Sequence, residues 1–420
     1  GSRGFIKSLN QYYDNSAYYL NDVLKAETNL KDMITMADGN IYVIPRYQKI
    51  LQNELGYRMW IYKPWLEKLN LSEPKTLDEF YNVLKAFKDK DPNGNGLADE
   101  IPFIGATSGG ENWFCDFIAA AFQPIDIQSN YLYPENGKIK AAYVEPEYKE
   151  ALKYLNKLCT EGLLSPSSFT SDGAQTRQTI QNPSGVQVGC FTSMAPTYLI
   201  NATDRAEGYD ILAPLTQDNG TGYAVYGASI PTNSFFITKN CQYPEAAFRL
   251  GDIMMSEEMS IWNRFGKKGT DWVEPEEGDH GMFESMGYKA KIKPILAWGS
   301  PQNSHWQQGA PAYRGYELAC ATVDSGSNIY ETRIAEHLQS YLDKKPKEYI
   351  TKIIYTEDEI NAINEIQQNI TSYRKDSVAR FIIGDWDIES GWEDYLKEMK
   401  AIGVDEMLDI VQNAYDRCNK

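Results

Sequence analysis

Residues Met59 to Pro102 read MWIYKPWLEKLNLSEPKTLDEFYNVLKAFKDKDPNGNGLADEIP. The apolar run Arg58–Tyr62 at its start reads as a strand, and Pro64 opens a short helix, Trp65–Leu69. Thr76-Leu77-Asp78-Glu79 is a capping box, in which the Thr76 side chain accepts from the Glu79 amide and Glu79 reaches back. Leu77, Phe80, Leu84 and Phe87 then fall on one face of a helix that runs out at Asp91-Pro92. After a loop, Ile101-Pro102-Phe103 is extended. Strand, helix and strand in succession make this an α/β segment.

The loop between that helix and strand carries the sharpest chemical signal. Asp91, Asn93, Asn95 and Asp99 place oxygen side chains at positions 1, 3, 5 and 9 of a calcium loop, and the Leu97 carbonyl fills position 7. Gly94 and Gly96 supply the backbone freedom that winding around an ion needs. Glu100 follows at once, earlier than the last ligand of an EF-hand, and no helix follows it. The pattern is therefore EF-hand in style without being an EF-hand. Three carboxylates favour Ca2+ over Mg2+. All six ligands come from one short loop with no open position, so the role is structural. The competing reading is a plain Asn/Gly turn.

Outward from this stretch the same alternation continues. Asp38-Gly39-Asn40 is a turn before a strand, Ile41–Ile44, ended by Pro45. Asn112–Phe122 reads as a buried helix, and Pro146–Gly162 as another. Val186–Phe191 and Tyr209–Leu212 read as strands. Ser234–Thr238 is a strand followed by the helix Pro244–Met255. The tail from Glu357 to Cys418 is nearly all helix, with Trp392, Tyr395, Leu396 and Met399 as a core stripe. The expected fold class is α/β with largely parallel sheet. A length of 420 residues calls for two lobes.

A net charge of −17 repels phosphate backbones and argues against a nucleic-acid partner. It argues against a polyanionic ligand as well, unless a local basic patch overrides the global field. No run approaches the roughly 20 apolar residues of a membrane span. The six cysteines show no CxxC spacing and are expected to be free thiols. The three histidines form no metal pair, and no nucleophile elbow, phosphate loop or dinucleotide fingerprint is present. Supplies of 29 tyrosines and nine tryptophans suit a cleft that stacks on sugar rings. Gly1-Ser2 reads as an expression scar.

Four blocks together resemble the family 1 extracellular solute-binding proteins of carbohydrate ABC transporters, in their long calcium-carrying branch of alginate-binding-protein-like lipoproteins. They are ADGNIYVIPRY (Ala37–Tyr47), the Met59–Pro102 stretch, YPEAAFRLGDIMMSEE (Tyr243–Glu258) with WNRFGKKGTDW (Trp262–Trp272), and ARFIIGDWDIESGWEDYLKEMKAIGVDEMLDIVQNAYDR (Ala379–Arg417). The resemblance implies a two-lobe, periplasmic-binding-protein-like (type II) fold with hinge crossings near Trp60–Tyr62, Ile230–Phe235 and Pro294–Pro311. One lobe is expected from residues 1–60 plus 236–300, the other from 61–235 plus 301–420. The family's first strand–helix–strand portion is expected to be missing ahead of Gly4-Phe5, leaving the first lobe's sheet incomplete.

Function follows from the resemblance in the same way. It implies a non-enzymatic, monomeric protein that captures an oligo- or polysaccharide and delivers it to a membrane permease. It also implies an extracellular or periplasmic location as a membrane-anchored lipoprotein. In related maltose-type proteins an aromatic at the helix start after a Gly-rich turn faces the cleft, which nominates Trp113. Arg46 and Tyr47 follow the strand at the cleft floor, Tyr198 follows the Val186–Phe191 strand, and Tyr226 precedes the second crossing. Trp298 and Trp306 sit in a Gly/Ser/Pro/Gln-rich loop. The rival functions are a glycan-active enzyme, which needs paired carboxylates across a cleft, and a peptide-binding, lipid-binding or sensor lipoprotein of the same fold.

Overall fold

The computed structural model describes residues 4–194, 203–295, 309–323 and 329–418. Its strands are β1 (Ile44–Gln48), β2 (Arg58–Tyr62), β3 (Ile101–Ile104), β4 (Leu132–Glu135), β5 (Lys138–Ala141), β6 (Val188–Ser193), β7 (Tyr209–Leu212), β8 (Thr232–Phe235), β9 (Trp272–Val273), β10 (Lys293–Pro294) and β11 (Ala312–Arg314). The larger sheet has four strands in the order β3-β6-β2-β7, and a three-stranded sheet has the order β11-β1-β8. The expectation of largely parallel sheet is corrected. Only β3 with β6 and β1 with β11 run parallel, whereas β2 is antiparallel to both neighbours and β8 is antiparallel to β1.

The four-stranded sheet is covered on both faces, which is why β2 reads as a continuous apolar run. Met59 and Ile61 point into a core shared with the C-terminal helices, and Trp60 points into a second core on the opposite face. The helix Leu77–Asp89 lies in the first core and is capped as expected: the Glu79 amide donates to Thr76 Oγ1 at 3.2 Å and the Thr76 amide to Glu79 Oε2 at 3.2 Å. Helices Glu357–Ile383, Ile388–Ile402 and Val404–Cys418 pack there with Pro146–Thr160. Trp392, Tyr395 and Met399 are buried in that core and Leu396 packs against it, so the stripe is core as expected. Gly403, at φ 113°, ends the second of these helices in a backbone conformation that L side chains rarely adopt.

The three-stranded sheet has its own core. Leu9, Tyr13, Leu20, Leu30 and Ile34 come from the short helices of the first 34 residues, and Phe248 and Met255 from the segment after β8. The first strand runs through Pro45 to Gln48 instead of stopping at it, because a register shift in the β1–β8 pair falls between Ile44 and Pro45. A proline at an irregularity donates to no ladder and breaks none.

The chain passes between the two sheets in the segments joining β1 to β2 and β7 to β8. The expected crossings near Trp60–Tyr62 and Ile230–Phe235 border these segments, the first falling within β2 and the second running from the β7–β8 segment into β8. The strand β11 sits beside β1, although its stretch of sequence was assigned to the other lobe. All six cysteines are free. Among the described residues no helix is long and apolar enough to cross a membrane.

Candidate functional site

The loop after Asp89 is wound by its own side chains. Asp91 Oδ1 accepts from the amides of Gly94 (2.8 Å) and Asn95 (3.1 Å), and Asp91 Oδ2 from Gly96 (3.0 Å). Asn95 Oδ1 accepts from the Leu97 amide at 2.7 Å. Asp91 (φ 46°), Gly94 (φ 77°) and Gly96 (φ 77°) all adopt left-handed backbone. Asp99 is drawn into the same ring, accepting from Asn93 Nδ2 at 2.8 Å, from Asn95 Nδ2 at 3.1 Å and from Gln187 Nε2. These donors hold its carboxyl below the ordinary range.

Glu100 is different. Both carboxylate oxygens are shielded from water and lack a well-formed hydrogen bond, with only the backbone amides of Glu100 and Asn93 close enough to hold the charge in part. Burial, together with the nearby charges of Asp91 and Asp99, raises its pKa. A buried carboxylate with no well-formed partner beside two others is a largely uncompensated cost, and a cation among them would remove it. Among the described residues, no group of three or more His, Cys, Asp or Glu side chains by itself forms a metal cluster. The oxygen donors here are mixed: carboxylates, side-chain amides and the carbonyl of Leu97, whose side chain is exposed.

A second group stands at the C-terminal ends of the parallel pair β3 and β6, where open α/β sheets bind ligands. After β3 the chain must pass close to Phe114, and a β-carbon at Gly105 would lie 2.1 Å from that ring. The turn Gly110–Trp113 then brings Gly110 against the end of β6, a β-carbon there lying 3.4 Å from Ser193 Cα and 3.3 Å from the Trp113 ring. Trp113 is half-buried and meets Tyr57 edge-on, with centroids 4.6 Å apart at 75°.

The segments that carry this pair also carry buried polar groups. Glu111 is 1% exposed, with Oε1 at 3.3 Å from Arg177 Nε and Oε2 unpartnered. Asn112 Oδ1 and Gln52 Oε1 are likewise shielded and unpartnered. Arg58 is buried and donates to the carbonyls of Met194 (3.2 Å) and Gln52. Burial pushes its pKa down to about 10. Only Trp113 of this group was nominated from sequence. The Gly109-Gly110 pair marked the turn, but nothing in the sequence signalled which polar residues around it would be buried.

The other nominated residues go elsewhere. Tyr47 and Tyr226 are both buried. They meet around buried Glu54, in the helix Leu51–Glu54 that joins the two sheets; the Tyr226 hydroxyl donates to Glu54 Oε2 at 3.2 Å. Burial, with Glu54 next, lifts the Tyr226 hydroxyl well above its ordinary range; burial lifts Tyr47 likewise, helped by Glu27 and then Glu54. Lys345 Nζ lies 4.4 Å from the Tyr226 ring and 4.3 Å from that of Tyr349. These tyrosines line the junction between the sheets. Arg46 is half-buried on the opposite face of β1. Tyr198, Trp298 and Trp306 lie outside the described residues.

The family model for bacterial extracellular solute-binding proteins matches residues 8–260, more than half of the chain. The chain belongs to this family. Among relatives, the solute-binding fold is shared with the fructooligosaccharide ABC transporter substrate-binding protein FusA of Streptococcus pneumoniae. That protein is 26% identical over 99% of this chain and 76% of its own length. Lipoprotein LipO of Bacillus subtilis is 26% identical over 99% of this chain and 79% of its own. A solved structure described as an EF-hand mutant of FusA with fructo-nystose superposes at a TM-score of 0.78, with 23% identity, covering 100% of this chain and 85% of that one. Alginate-binding protein AlgQ2 without calcium ion superposes at 0.69, with 20% identity, covering 99% and 83%. The two-lobe fold expected from the four sequence blocks is thereby borne out.

Proposed function

We propose that this solute-binding protein captures an oligosaccharide between its two lobes and delivers it to an ABC-transporter permease from outside the cell membrane. The observation that carries the reading is the Trp113–Tyr57 pair, with shielded, unpartnered oxygens on the adjoining residues Glu111 and Asn112 and on Gln52 of the Tyr57 segment. An aromatic face for the C–H side of a sugar and fixed polar groups for its hydroxyls are the two components such a site requires. The names of the relatives, one a fructooligosaccharide-binding protein and one a lipoprotein, support substrate class and location. The lobes are best divided by the sheets. One contains β11-β1-β8 and its helices, the other β3-β6-β2-β7 and the C-terminal helices. The junction tyrosines around Glu54 are then the hinge, and closure turns about them.

The test is calorimetry with 1-kestose on the native chain and on Trp113→Ala. Loss of the stacking face should weaken binding by about 1–3 kcal/mol, using base stacking on aromatics as the scale. The half-buried ring should cost the fold much less than the roughly 3–5 kcal/mol of a core aromatic. A variant that loses stability on the core scale while binding as before would remove Trp113 from the site. Chromatography should recover the sugar uncleaved, as a binding protein requires.

The Asp91–Glu100 loop is assigned to one Ca2+, held by Asp91, Asn93, Asn95, the Leu97 carbonyl, Asp99 and Glu100. The shielded Glu100 carboxylate supports the assignment, and so does the EF-hand of FusA, the subject of one of the solved structures above. The ion would be structural, tying the end of helix Leu77–Asp89 to the start of β3.

A further inference from the structure

Both segments that join the sheets meet one side chain, that of Gln128, in the loop after the helix Phe114–Ala119. In the β7–β8 segment the Tyr226 amide donates to the Ile125 carbonyl at 3.2 Å, and the Gly227 amide to the Glu54 carbonyl at 3.0 Å. A β-carbon at Gly227 would lie 2.7 Å from Gln128 Cδ and 2.7 Å from its Nε2, so only glycine leaves room for that side chain. In the β1–β2 segment the Tyr57 hydroxyl is hydrogen-bonded to the same Gln128 side chain. Tyr57 follows Glu54 closely in the chain, so Glu54, Gly227, Gln128 and Tyr57 close a ring of contacts.

The loop fixes the backbone of Gln128 and leaves room around its side chain. Buried Asp126 accepts from the Ser129 amide at 3.0 Å and the Ser129 hydroxyl at 2.8 Å, and the Asp126 carbonyl accepts from the Tyr131 amide at 2.8 Å. Asn130 (φ 55°) and Tyr131 (φ 65°) are successive left-handed residues, neither of them glycine. Such backbone is costly and persists only where its surroundings over-determine it. The Gln128 side chain is exposed and borders a cavity of about 190 Å³ whose walls include Leu132, Ile350, Met407 and Val411. It can be displaced without overpacking the core.

We infer that Gln128 is a positioning residue for the Trp113–Tyr57 pair and that Gly227 sets where it stands, so that turning of the two joining segments is passed to the rings that stack on sugar. The inference rests on the sugar-binding reading above and adds to it a coupling between hinge and site. Tyr57 meets Trp113 edge-on, with centroids 4.6 Å apart, so the tilt of one ring sets the space left beside the other. A phenol tethered at its hydroxyl keeps one tilt. The hinge end of the ring of contacts is held as well, because the Tyr226 hydroxyl donates to Glu54 Oε2 at 3.2 Å. Coupling needs a contiguous chain of packed and hydrogen-bonded groups, and here one side chain spans the gap.

Proton–nitrogen correlation spectra of the indoles, with calorimetry on 1-kestose, test this on the native chain, Gly227→Ala, Gln128→Met and their combination. Trp113 is recognised among the nine tryptophans as the resonance lost in Trp113→Ala. The methyl added at Gly227 reaches Gln128 first, and Gln128→Met keeps the length of the side chain without its hydrogen bond. Each single substitution should move the Trp113 resonance and weaken kestose by about three- to tenfold, the scale of one hydrogen bond. The combination should be no worse than Gln128→Met alone, because the added methyl then has no tether left to break. Urea melts show that the variants are folded. A Trp113 resonance that stays in place in either single variant overturns the inference, and so do additive losses in the combination. Kestose binding that survives Trp113→Ala, or no binding at all, overturns the sugar reading instead, and the indole shifts then decide the coupling by themselves.

Discussion

Replacing Arg374 with alanine should lower the stability of the protein by about 3–5 kcal/mol, the scale for breaking a buried charge interaction. Arg374 lies in the helix Glu357–Ile383 and is 9% exposed. Its guanidinium lies 3.7 Å from the centre of the Tyr131 ring, and the Tyr131 hydroxyl donates to Asp116 Oδ2 at 3.3 Å. Burial works against the charge of Arg374, but Tyr131, Tyr148 and Asp116 outweigh it and hold its pKa above the ordinary value. Asp116 feels burial most strongly and is raised to about 6, with Arg374 pulling the other way. A carboxyl raised in the folded state contributes stability below its unfolded pKa, near 4, and loses it as pH rises through about 6. Without Arg374 that pKa climbs further, so the deficit of the variant should be larger at pH 7.5 than at pH 5. Adding Asp116→Asn should return about 1–2 kcal/mol, because the stranded charge is gone. Urea melts at the two pH values read all of this. A deficit independent of pH and untouched by the second substitution would mean that Arg374 acts only by packing.

That network was invisible in the sequence, and the reason is instructive. Asp116, Tyr131, Tyr148 and Arg374 are far apart in the chain, and no local pattern relates them. What was legible is local. Thr76 and Glu79 state their own reciprocal bonds, and Asp91, Asn93 and Asn95 state the turns they stabilise. The stripe through Trp392, Tyr395 and Met399 states its buried face. Sheet order was not legible, because β2 pairs with strands more than 100 residues later and a doubly buried run looks the same in parallel and antiparallel surroundings. For that reason the expected crossings reach into strands.

The candidate site divides along the same line. Trp113 was legible because Gly109-Gly110 punctuates the chain just before it. Its partners Tyr57 and Gln52 come from the segment between β1 and β2 and Glu111 from the turn of Trp113 itself, and burial alone singles them out. Tyr47 and Tyr226 were nominated as ligand contacts because exposed and buried tyrosines share one alphabet. Their fate depended on Glu54, a charged residue that would ordinarily be assigned to the surface. Arg46 was nominated alone; Arg314 joins its face through the parallel β1–β11 register, which no turn signal announces.

Removing calcium should destabilise the protein by up to about 4 kcal/mol, the linkage expected for a site about a thousandfold above its dissociation constant, as for millimolar ion and a micromolar site. Melting in 1 mM CaCl2 against excess chelator should show a transition several degrees higher with the ion, with Mg2+ a poor substitute because it gives up its waters reluctantly. Glu100 supplies the sharper test. Its two oxygens are shielded and lack a well-formed partner; burial raises its pKa, the nearby amides of Glu100 and Asn93 hold it down in part, and the charges of Asp91 and Asp99 raise it further. In the ion-free protein Glu100 is therefore a liability, and in the loaded protein it is a ligand. Glu100→Gln should accordingly be more stable than the native chain in chelator and less stable in calcium. Asp91→Asn should not show this inversion, because Asp91 already accepts from the amides of Gly94, Asn95 and Gly96 and serves the loop in both states. A repulsive carboxylate that merely tolerates its neighbours would make Glu100→Gln more stable under both conditions. A carboxylate engaged only with protein donors would make it less stable under both. Only an ion bound in the loop reverses the sign between the two buffers.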